Sequence, residues 1–505
     1  MKLLLLVLLV VTCQATFITR SGTSLLETLE DGLVKEFSFS GVNIYWVGQD
    51  ENNPVEPNTD EVVYTHPSEY RVDDVLVSAL SMGSKVVRTH TVGISTGTGE
   101  YHAWNMGWDG TVWPERGVIR EENFASMDYT VFRAGQLGIK LIVPLTDEWN
   151  YYHGGIHDFL GWRGLSQLEG VEGNCVCNMD QHLQDMFYTH PDVVSDFKEY
   201  VSVILNHVNP HTGIAYKDDP TILAWESGNE LYYPTFNWTV DLATFIKSEV
   251  GAQQLFMDGR MVSRTGFYPE LDNQDMLSLY TSVVDIVSDH FYPMNVDKLV
   301  EMATMAREYG LPYVIGEIGW LKADVDVVTF LTAVEELHDA GMVSGTLFWS
   351  MFGHAEQYGH VTHNDGYSIY WPTGPEPDTF HHNNLAYRNM LKNMSDHMFL
   401  MSGTEVPESY LMSDIPPILT LLECKPGQWV RVAFRGVAGA FLYKVEVDGV
   451  ALAYIDDRQS GPTYIHNSVV TQGSKVVITP YSYGDIGVLG TPSDQVTCPS
   501  DNVAT

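Results

Sequence analysis

Between residues 37 and 350, short and nearly unbroken apolar runs alternate with stretches whose apolar positions recur every three or four residues. Eight runs read as strands: Phe37–Val47, Lys85–His90, Ile139–Leu145, Ile222–Glu226, Gln254–Asp258, Val284–Phe291, Tyr313–Ile318 and Gly345–Ser350. They are rich in β-branched and aromatic residues, as strands buried on both faces are. Between them, Val194, Phe197, Val201, Ile204, Leu205 and Val208 share one helical face. The spacing also predicts a helix over Asp297–Tyr309, stopped by Gly310 and Pro312. A third helix is marked by Val327, Phe330, Leu331, Val334 and Leu337, before Gly341. Alternating strands and helices predict an α/β fold with a parallel sheet, and eight such units predict a (β/α)8 TIM barrel with long insertions. A doubly wound open sheet is the alternative, but no glycine-rich phosphate loop follows the early strands.

Beyond about residue 405 the helical period disappears. Trp429–Phe434, Phe441–Val447, Val469–Val470 and Val476–Ile478 form short apolar runs punctuated by Gly and Pro. They predict an all-β sandwich over 405–505, following a barrel over 16–404. Residues 1–15 read as a secretory signal peptide: Lys2, an apolar stretch Leu3–Val11, then Cys13-Gln14-Ala15. The stretch is too short to span a bilayer, so the chain is expected to be secreted, with no membrane as partner. The sequons at Asn237 and Asn393 fit that route.

Without Cys13, four cysteines remain. An even count in a secreted chain suggests disulfides. Cys424 and Cys498 bracket the C-terminal segment and would staple it, whereas Cys175 and Cys177 would close a very small ring; connectivity is open at this level. The 65 acidic residues outnumber the 27 basic ones, for a formal charge of −38. Nucleic acid is thereby disfavoured as a partner, and a neutral polysaccharide is indifferent to the sign.

In a barrel of this type, chemistry sits where strands end. Polar residues close six of the expected strands: Arg88-Thr89-His90, Asp147-Glu148-Trp149-Asn150, Glu226 through Asn229-Glu230, Asp289-His290-Phe291-Tyr292, Glu317, and Trp349-Ser350. Carboxylates after the fourth and seventh strands can face each other across the mouth, as glycoside hydrolysis requires. Arg88, Asn229, His290 and Tyr292 can orient a sugar and tune the carboxyls, and Trp149, Trp225, Trp320 and Trp349 can stack on sugar faces. Each alone has a plainer reading, as a helix-start acid or a core aromatic. The histidines His354, His360, His363, His381 and His382 lack tight ligand spacing, and no metal site is expected. His363 and Asp365 are added to the sugar contacts. Trp104, Trp108 and Trp113, in the insertion Gly97–Gly117, either cover the barrel or wall the cleft.

At these residues the chain resembles glycoside hydrolase family 5, and within it the endo-β-1,4-mannanases of plants and fungi. The resemblance covers about residues 37–400. Its closest passages are VVRTH (86–90), GIKLIVPLTDEWNYYHGG (138–155), DMFYTHPDV (185–193), TGIAYKDDPTILAWESGNE (212–230), DHFYP (289–293), VIGEIGW (314–320) and LFWSMFG (347–353). It implies a retaining hydrolase without cofactor, acting on β-mannan, with Glu230 as acid/base and Glu317 as nucleophile; the chain is expected to be a monomer. Arg88, Asn229, His290, Tyr292 and Trp349 match the family's other active-site positions. The chain departs from the pattern after Glu230, where Leu231-Tyr232-Tyr233 replaces Pro and a basic residue, and at Asp147-Glu148-Trp149, where an Asn-Asn-Trp segment is usual. It also departs in the loop His354–His382 and in the C-terminal sandwich. β-Glucan hydrolysis, exo-acting mannosidase action, transglycosylation and non-catalytic carbohydrate binding stay open beside the mannanase reading.

Overall fold

The computed structural model describes residues 16–499 except 30, 55–61, 91–92, 95–109, 150, 166–180, 322–325, 364, 377–383 and 485–487. The expected signal peptide, Cys175, Cys177, Trp104, Trp108, Asn150, His381 and His382 lie outside the described residues.

Each of the eight expected runs forms a strand. They are β1 (Phe39–Asn43), β2 (Val86–Arg88), β3 (Lys140–Pro144), β4 (Ile222–Glu226), β5 (Leu255–Asp258), β6 (Ile286–Phe291), β7 (Tyr313–Ile318) and β8 (Gly345–Phe348). All pair in parallel in sequence order, and β8 returns to β1 to close the barrel. A long helix follows each strand: α1 (Glu69–Met82), α2 (Ala125–Leu137), α3 (Pro191–Asn206), α4 (Phe236–Thr244), α5 (Gln274–Val283), α6 (Val296–Glu308), α7 (Val327–Asp339) and α8 (Asn384–Met401). Local chemistry sets their ends. The Ser68 hydroxyl accepts from the amide of Arg71 at the start of α1, and Asp326 caps α7 in the same way.

Phe39, Val86, Ile142, Ala224, Met257, Ile286, Val314 and Leu347, one from each strand, cluster as the barrel interior. The alternate positions, among them Val87, Val143, Trp225, Phe256 and Tyr313, pack in the larger core shared with the helices. A small sheet absent from the sequence expectation (Thr19–Ser21, Ser24–Thr28, Val34–Glu36) places Ile18 and Leu25 in the interior cluster and so plugs the barrel's lower end. Arg20 fixes it there, donating to the carbonyls of Thr281, Val284 and Gly310 at 2.8–3.0 Å.

The C-terminal region is an antiparallel β domain of two sheets. One holds β9 (Ile418–Lys425), β10 (Trp429–Arg435) and β13 (Thr463–His466); the other holds β11 (Ala440–Val447), β12 (Val450–Asp456), β14 (Lys475–Ser482) and β15 (Val496–Thr497). Val430, Val432 and Phe434 of the first meet Tyr443, Val445, Val476 and Ile478 of the second in one core. Cys424 and Cys498 are disulfide-bonded. Val469–Val470, expected as a strand, lies in a turn instead, and the neighbouring strand is Thr463–His466.

His354 joins the β domain to the barrel. Its Nδ1 is 2.9 Å from Asp74 of α1 and its Nε2 3.0 Å from Asp457 of the β domain. His360 Nε2 and the Tyr443 hydroxyl meet the same Asp457 carboxylate at 3.0 and 2.7 Å. All but 3% of each histidine ring is buried. Two negative charges therefore hold the His354 pKa well above its ordinary value, although burial opposes the charge.

Candidate active site

The upper strand ends enclose a cavity of about 600 Å³ whose walls include Trp149, Asn229, Glu230, Tyr292, Glu317, Trp349, His363 and Asp365. Glu230 and Glu317 stand across it, with an oxygen of each and a ring nitrogen of His290 all within 4.8 Å of one another. His290 Nδ1 lies 2.8 Å from Glu230 and 3.5 Å from Glu317.

Arg88, fully buried at the end of β2, organises the floor. Nε and Nη2 grip Glu226 at 2.7 and 3.1 Å, Nη1 reaches Glu317 at 2.9 Å and Asn43 at 3.1 Å, and Nη2 also reaches Asn229 at 2.8 Å. A bidentate guanidinium–carboxylate fork of this kind fixes orientation as well as charge. Burial opposes the Arg88 charge, but Glu226 and Glu317 outweigh it and the pKa is raised. The other end of the Asn229 amide donates to Asp147 at 2.9 Å, so this side chain is held from both sides.

Backbone geometry aims the two carboxylates. Glu230 has φ of +53°, in the left-handed region that non-glycine residues rarely occupy. Its turn is pinned by the Asn229 amide to the Thr146 carbonyl and the Glu148 amide to the Asn229 carbonyl, at 2.8 and 3.1 Å. Between β6 and β7 the register slips by one residue at Asp289/His290, leaving Gly316 as the extra residue. A Cβ there would come within 2.7 Å of His290 Nε2 and Ser288 Oγ, so only glycine lets the imidazole lie against β7 beside Glu317.

Aromatic groups complete the walls. The Trp149 indole donates to Glu230 at 2.6 Å and the Tyr292 hydroxyl to Glu317 at 2.9 Å. Trp349 stacks on Tyr45 at 5.2 Å and donates to Asp365 at 2.7 Å, while His363 reaches Asp365 at 3.1 Å. Trp225 and Trp320 do not serve as sugar platforms. Trp225 points into the strand–helix layer, bonded to Gln254, and Trp320 lies behind Trp349, donating to its carbonyl at 2.7 Å. Trp113 is buried against Trp162 and Tyr200, so it covers the barrel. Asn237 and Asn393 are exposed on α4 and α8.

The charges are set against one another. Burial raises the Glu230 carboxyl, but hydrogen bonds from His290 and Trp149 and the His290 charge win, and its pKa is lowered. Burial pushes the Glu317 carboxyl up to about 7, against the pull of His290 and Arg88 and with the Glu230 charge adding to the rise. Burial lowers His290, but Glu317 and Glu230 raise it on balance. From Glu317's charge alone the acid form of Glu230 should be favoured. The free site runs the other way, because His290 touches Glu230 directly. The three groups titrate as a set.

Sequence reading named Glu226 and His90 among the polar strand ends without giving them a site role, and it missed Asn43, which with Glu226 brackets Arg88, and the cavity residues Tyr45, His153, Arg264 and Tyr367. Glu226 carried a signal: an acid ending a strand buried throughout needs a buried cation. Three groups among the described residues have ligand types that could hold a cation: Glu230/His290/Glu317, His90/Asp147/His153 and His354/His360/Asp457. Each is already knit by internal contacts, such as His153 Nε2 to Asp147 at 2.7 Å.

The GH family 5 beta-mannosidase-like family matches residues 81–319. A putative mannan endo-1,4-beta-mannosidase 4 of Arabidopsis thaliana is 27% identical over 305 residues, covering 57% of this chain and 62% of that protein. The chain thus spans under two thirds of that relative's length. Mannan endo-1,4-beta-mannosidase 3 of Solanum lycopersicum is 26% identical over 371 residues, covering 66% of this chain and 82% of that protein. Among solved structures, the endo-beta-1,4-mannanase of Thermotoga petrophila aligns with TM-score 0.54 at 21% identity, over 92% of this chain and 98% of that one. The family 5 mannosidase of Rhizomucor miehei aligns with TM-score 0.57 at 16% identity, over 77% and 99%. These structural likenesses speak to the barrel fold. The segment that carries β2 to β7 and both carboxylates is the part of the chain that is similar to the GH family 5 beta-mannosidase-like family.

Proposed function

We propose that the protein is a secreted retaining glycoside hydrolase that cleaves β-1,4-mannosidic linkages in mannan-type polysaccharides, with Glu317 as nucleophile and Glu230 as acid/base. The observation that carries this is the approach of the two carboxylates to within 4.8 Å. Retaining enzymes hold such groups about 5–5.5 Å apart, whereas inverting enzymes leave about 6.5–9.5 Å for a water.

Glu317, with Arg88 and Tyr292 donating to its oxygens, attacks the anomeric carbon. Glu230 gives a proton to the departing glycosidic oxygen. The pair Glu230–His290 supplies that proton: it moves from imidazole to carboxyl as charge grows on the leaving oxygen. Once Glu317 is an ester its charge is gone. Glu230 then takes a proton from water, and the hydroxide equivalent releases the sugar with retention. Asn229 and Trp349 position the sugar in the aromatic cavity. No step calls for a cofactor, and a neutral polymer is not repelled by the chain's negative charge.

Mannan as substrate is supported by the names of the relatives, and secretion by the apolar N-terminus. The deciding experiment measures reducing sugar released from mannan, glucomannan and cellulose, with proton NMR of the first-formed anomer and a product-length profile. β-Anomer from mannan, abolished in Glu317→Ala, is expected. Turnover unchanged in Glu317→Ala, or first-formed α-anomer, defeats the proposal; the length profile separates endo from exo action.

A further inference from the structure

The proposed roles give the cavity two sides, and this inference rests on that reading. A proton donor faces the leaving half of the substrate, so groups clustered around Glu230 and away from Glu317 border the leaving sugar. Trp149 is one, bonded to Glu230 and lying beside Tyr151 with centroids 6.0 Å apart and planes 17° apart. The other is Arg264, from the short helix after β5. It lines the same cavity, donates to the Tyr232 hydroxyl and sits 6.0 Å from that ring's centroid. Its charge bears on Glu230, whereas the cations bearing on Glu317 are His290 and Arg88.

Arg264 is held in place but not used up. Arg260, four residues earlier, donates to the carbonyls of Pro234, Thr265 and Gly266 at 2.8–3.1 Å, and the Leu231 amide donates to the Gly259 carbonyl at 3.1 Å. These bonds fasten the Arg264 segment to the turn that bears Glu230. Arg264 itself is exposed, and among the described residues no carboxylate is in ion-pair contact with it, in a chain with more than twice as many acids as bases. A guanidinium carries five N–H donors in a rigid fork. With Tyr232 engaging one of them, the rest suit the lone pairs of sugar hydroxyls, and the nearby rings suit the apolar sugar face.

We infer that Arg264 and Tyr232, with Trp149 and Tyr151, form the subsite for the leaving sugar, and that Arg264 is a specificity-determining residue favouring a carbohydrate over an aryl leaving group. The test compares wild type, Arg264→Ala and Arg264→Lys on mannopentaose and on an aryl β-mannobioside, whose leaving group offers no hydroxyls. For Arg264→Ala, kcat/KM on mannopentaose should fall about 10- to 100-fold, with a much smaller loss on the aryl glycoside. Arg264→Lys should recover part of the loss. Hydrolysis in ¹⁸O water should show the cleaved bonds of mannopentaose shifting away from those that leave several sugars on the Glu230 side. Equal losses on both substrates, as from misfolding or a change at Glu230, would overturn the inference, and so would an unchanged cleavage pattern. If wild type hydrolyses neither compound, the catalytic reading is what fails. Calorimetric titration of mannopentaose into wild type and Arg264→Ala then decides this one: weaker binding by the variant supports the subsite, equal affinity overturns it.

Discussion

Replacing Glu230 by Gln should move the acid limb of kcat/KM to lower pH. On the proposed mechanism Glu317 must be ionised to attack, so the rate is lost as pH falls through its pKa, which burial and the Glu230 charge set at about 7. Gln keeps the shape of Glu230 and removes its charge. Two unit charges at the observed 4.8 Å limit, in an effective dielectric of about 20, interact by about 3.5 kcal/mol, or about 2.5 pKa units. Part of this is returned, because His290 loses the negative charge that helps keep it protonated, and a neutral imidazole no longer favours the Glu317 anion. The net expectation is a fall of about one to two units. An aryl β-mannoside with a strongly electron-withdrawing leaving group needs no proton donor, so the variant retains measurable turnover on it, and its initial rates between pH 4 and 9 can be compared with wild type. A limb that stays near 7 or moves upward would show that Glu317 does not control it. Complete loss of activity on the activated glycoside would exchange the two glutamates' roles.

Arg88→Lys cannot form the fork that grips Glu226 while reaching Glu317. The variant should lose about 100-fold or more in kcat and about 3–5 kcal/mol in urea unfolding. His354 has a raised pKa when folded, so its contribution to stability is complete below its ordinary value of 6.5 and is lost as pH rises through the folded value. The melting temperature of wild type should therefore decline at alkaline pH, while His354→Asn, which cuts the link between Asp74 and Asp457, should start lower and decline less. Removing the Cys424–Cys498 bond, which closes a sequence separation of 74, should destabilise the β domain by about 4 kcal/mol on chain entropy, seen by calorimetry as an earlier transition.

The barrel was legible because burial on both faces writes a strand as a continuous apolar run, so all eight strands stood out from the helices around them. The same property hid side-chain direction. Within ILAWE, alternation sends Trp225 outward to the helices and leaves Glu226 to Arg88, yet the run itself does not say which neighbour faces in. Glu230 and Glu317 could be read because position at a strand end is a topological fact. Arg264 could not, since its four-residue helix has no period and its link to Tyr232 crosses 32 positions. The N-terminal plug was invisible for another reason: its short strands are largely polar and exposed, with Ile18 and Leu25 alone entering the core. In the β domain, outward Tyr464 and His466 broke the apolar signature of β13, whereas the apolar pair Val469–Val470 imitated a strand from within a turn.

Burial raises the Glu317 pKa first, and the Arg88 charge that opposes it is shared with other groups. Arg88 devotes both edges of its fork to other groups: Glu226 takes two contacts, and Asn229 and Asn43 one each, leaving a single 2.9 Å bond for Glu317. The Glu226 carboxylate lies nearer the guanidinium, at 2.7 Å against 2.9 Å, and its opposite charge offsets part of what Arg88 does for Glu317. Glu226→Gln should therefore lower the Glu317 pKa and carry the acid limb of kcat/KM down with it. The shift should be smaller than that of Glu230→Gln, since Arg88 and Asn229 stand between Glu226 and the cavity while Glu230 faces Glu317 directly. The amide still accepts one hydrogen bond from Arg88, so the guanidinium keeps a partner at its original place. If Arg88 instead swings away, Glu317 loses its nearest cation, the limb moves to higher pH and kcat falls with it. The direction of the limb on an activated aryl glycoside thus tells whether Glu226 acts on Glu317 through charge or by holding Arg88 still.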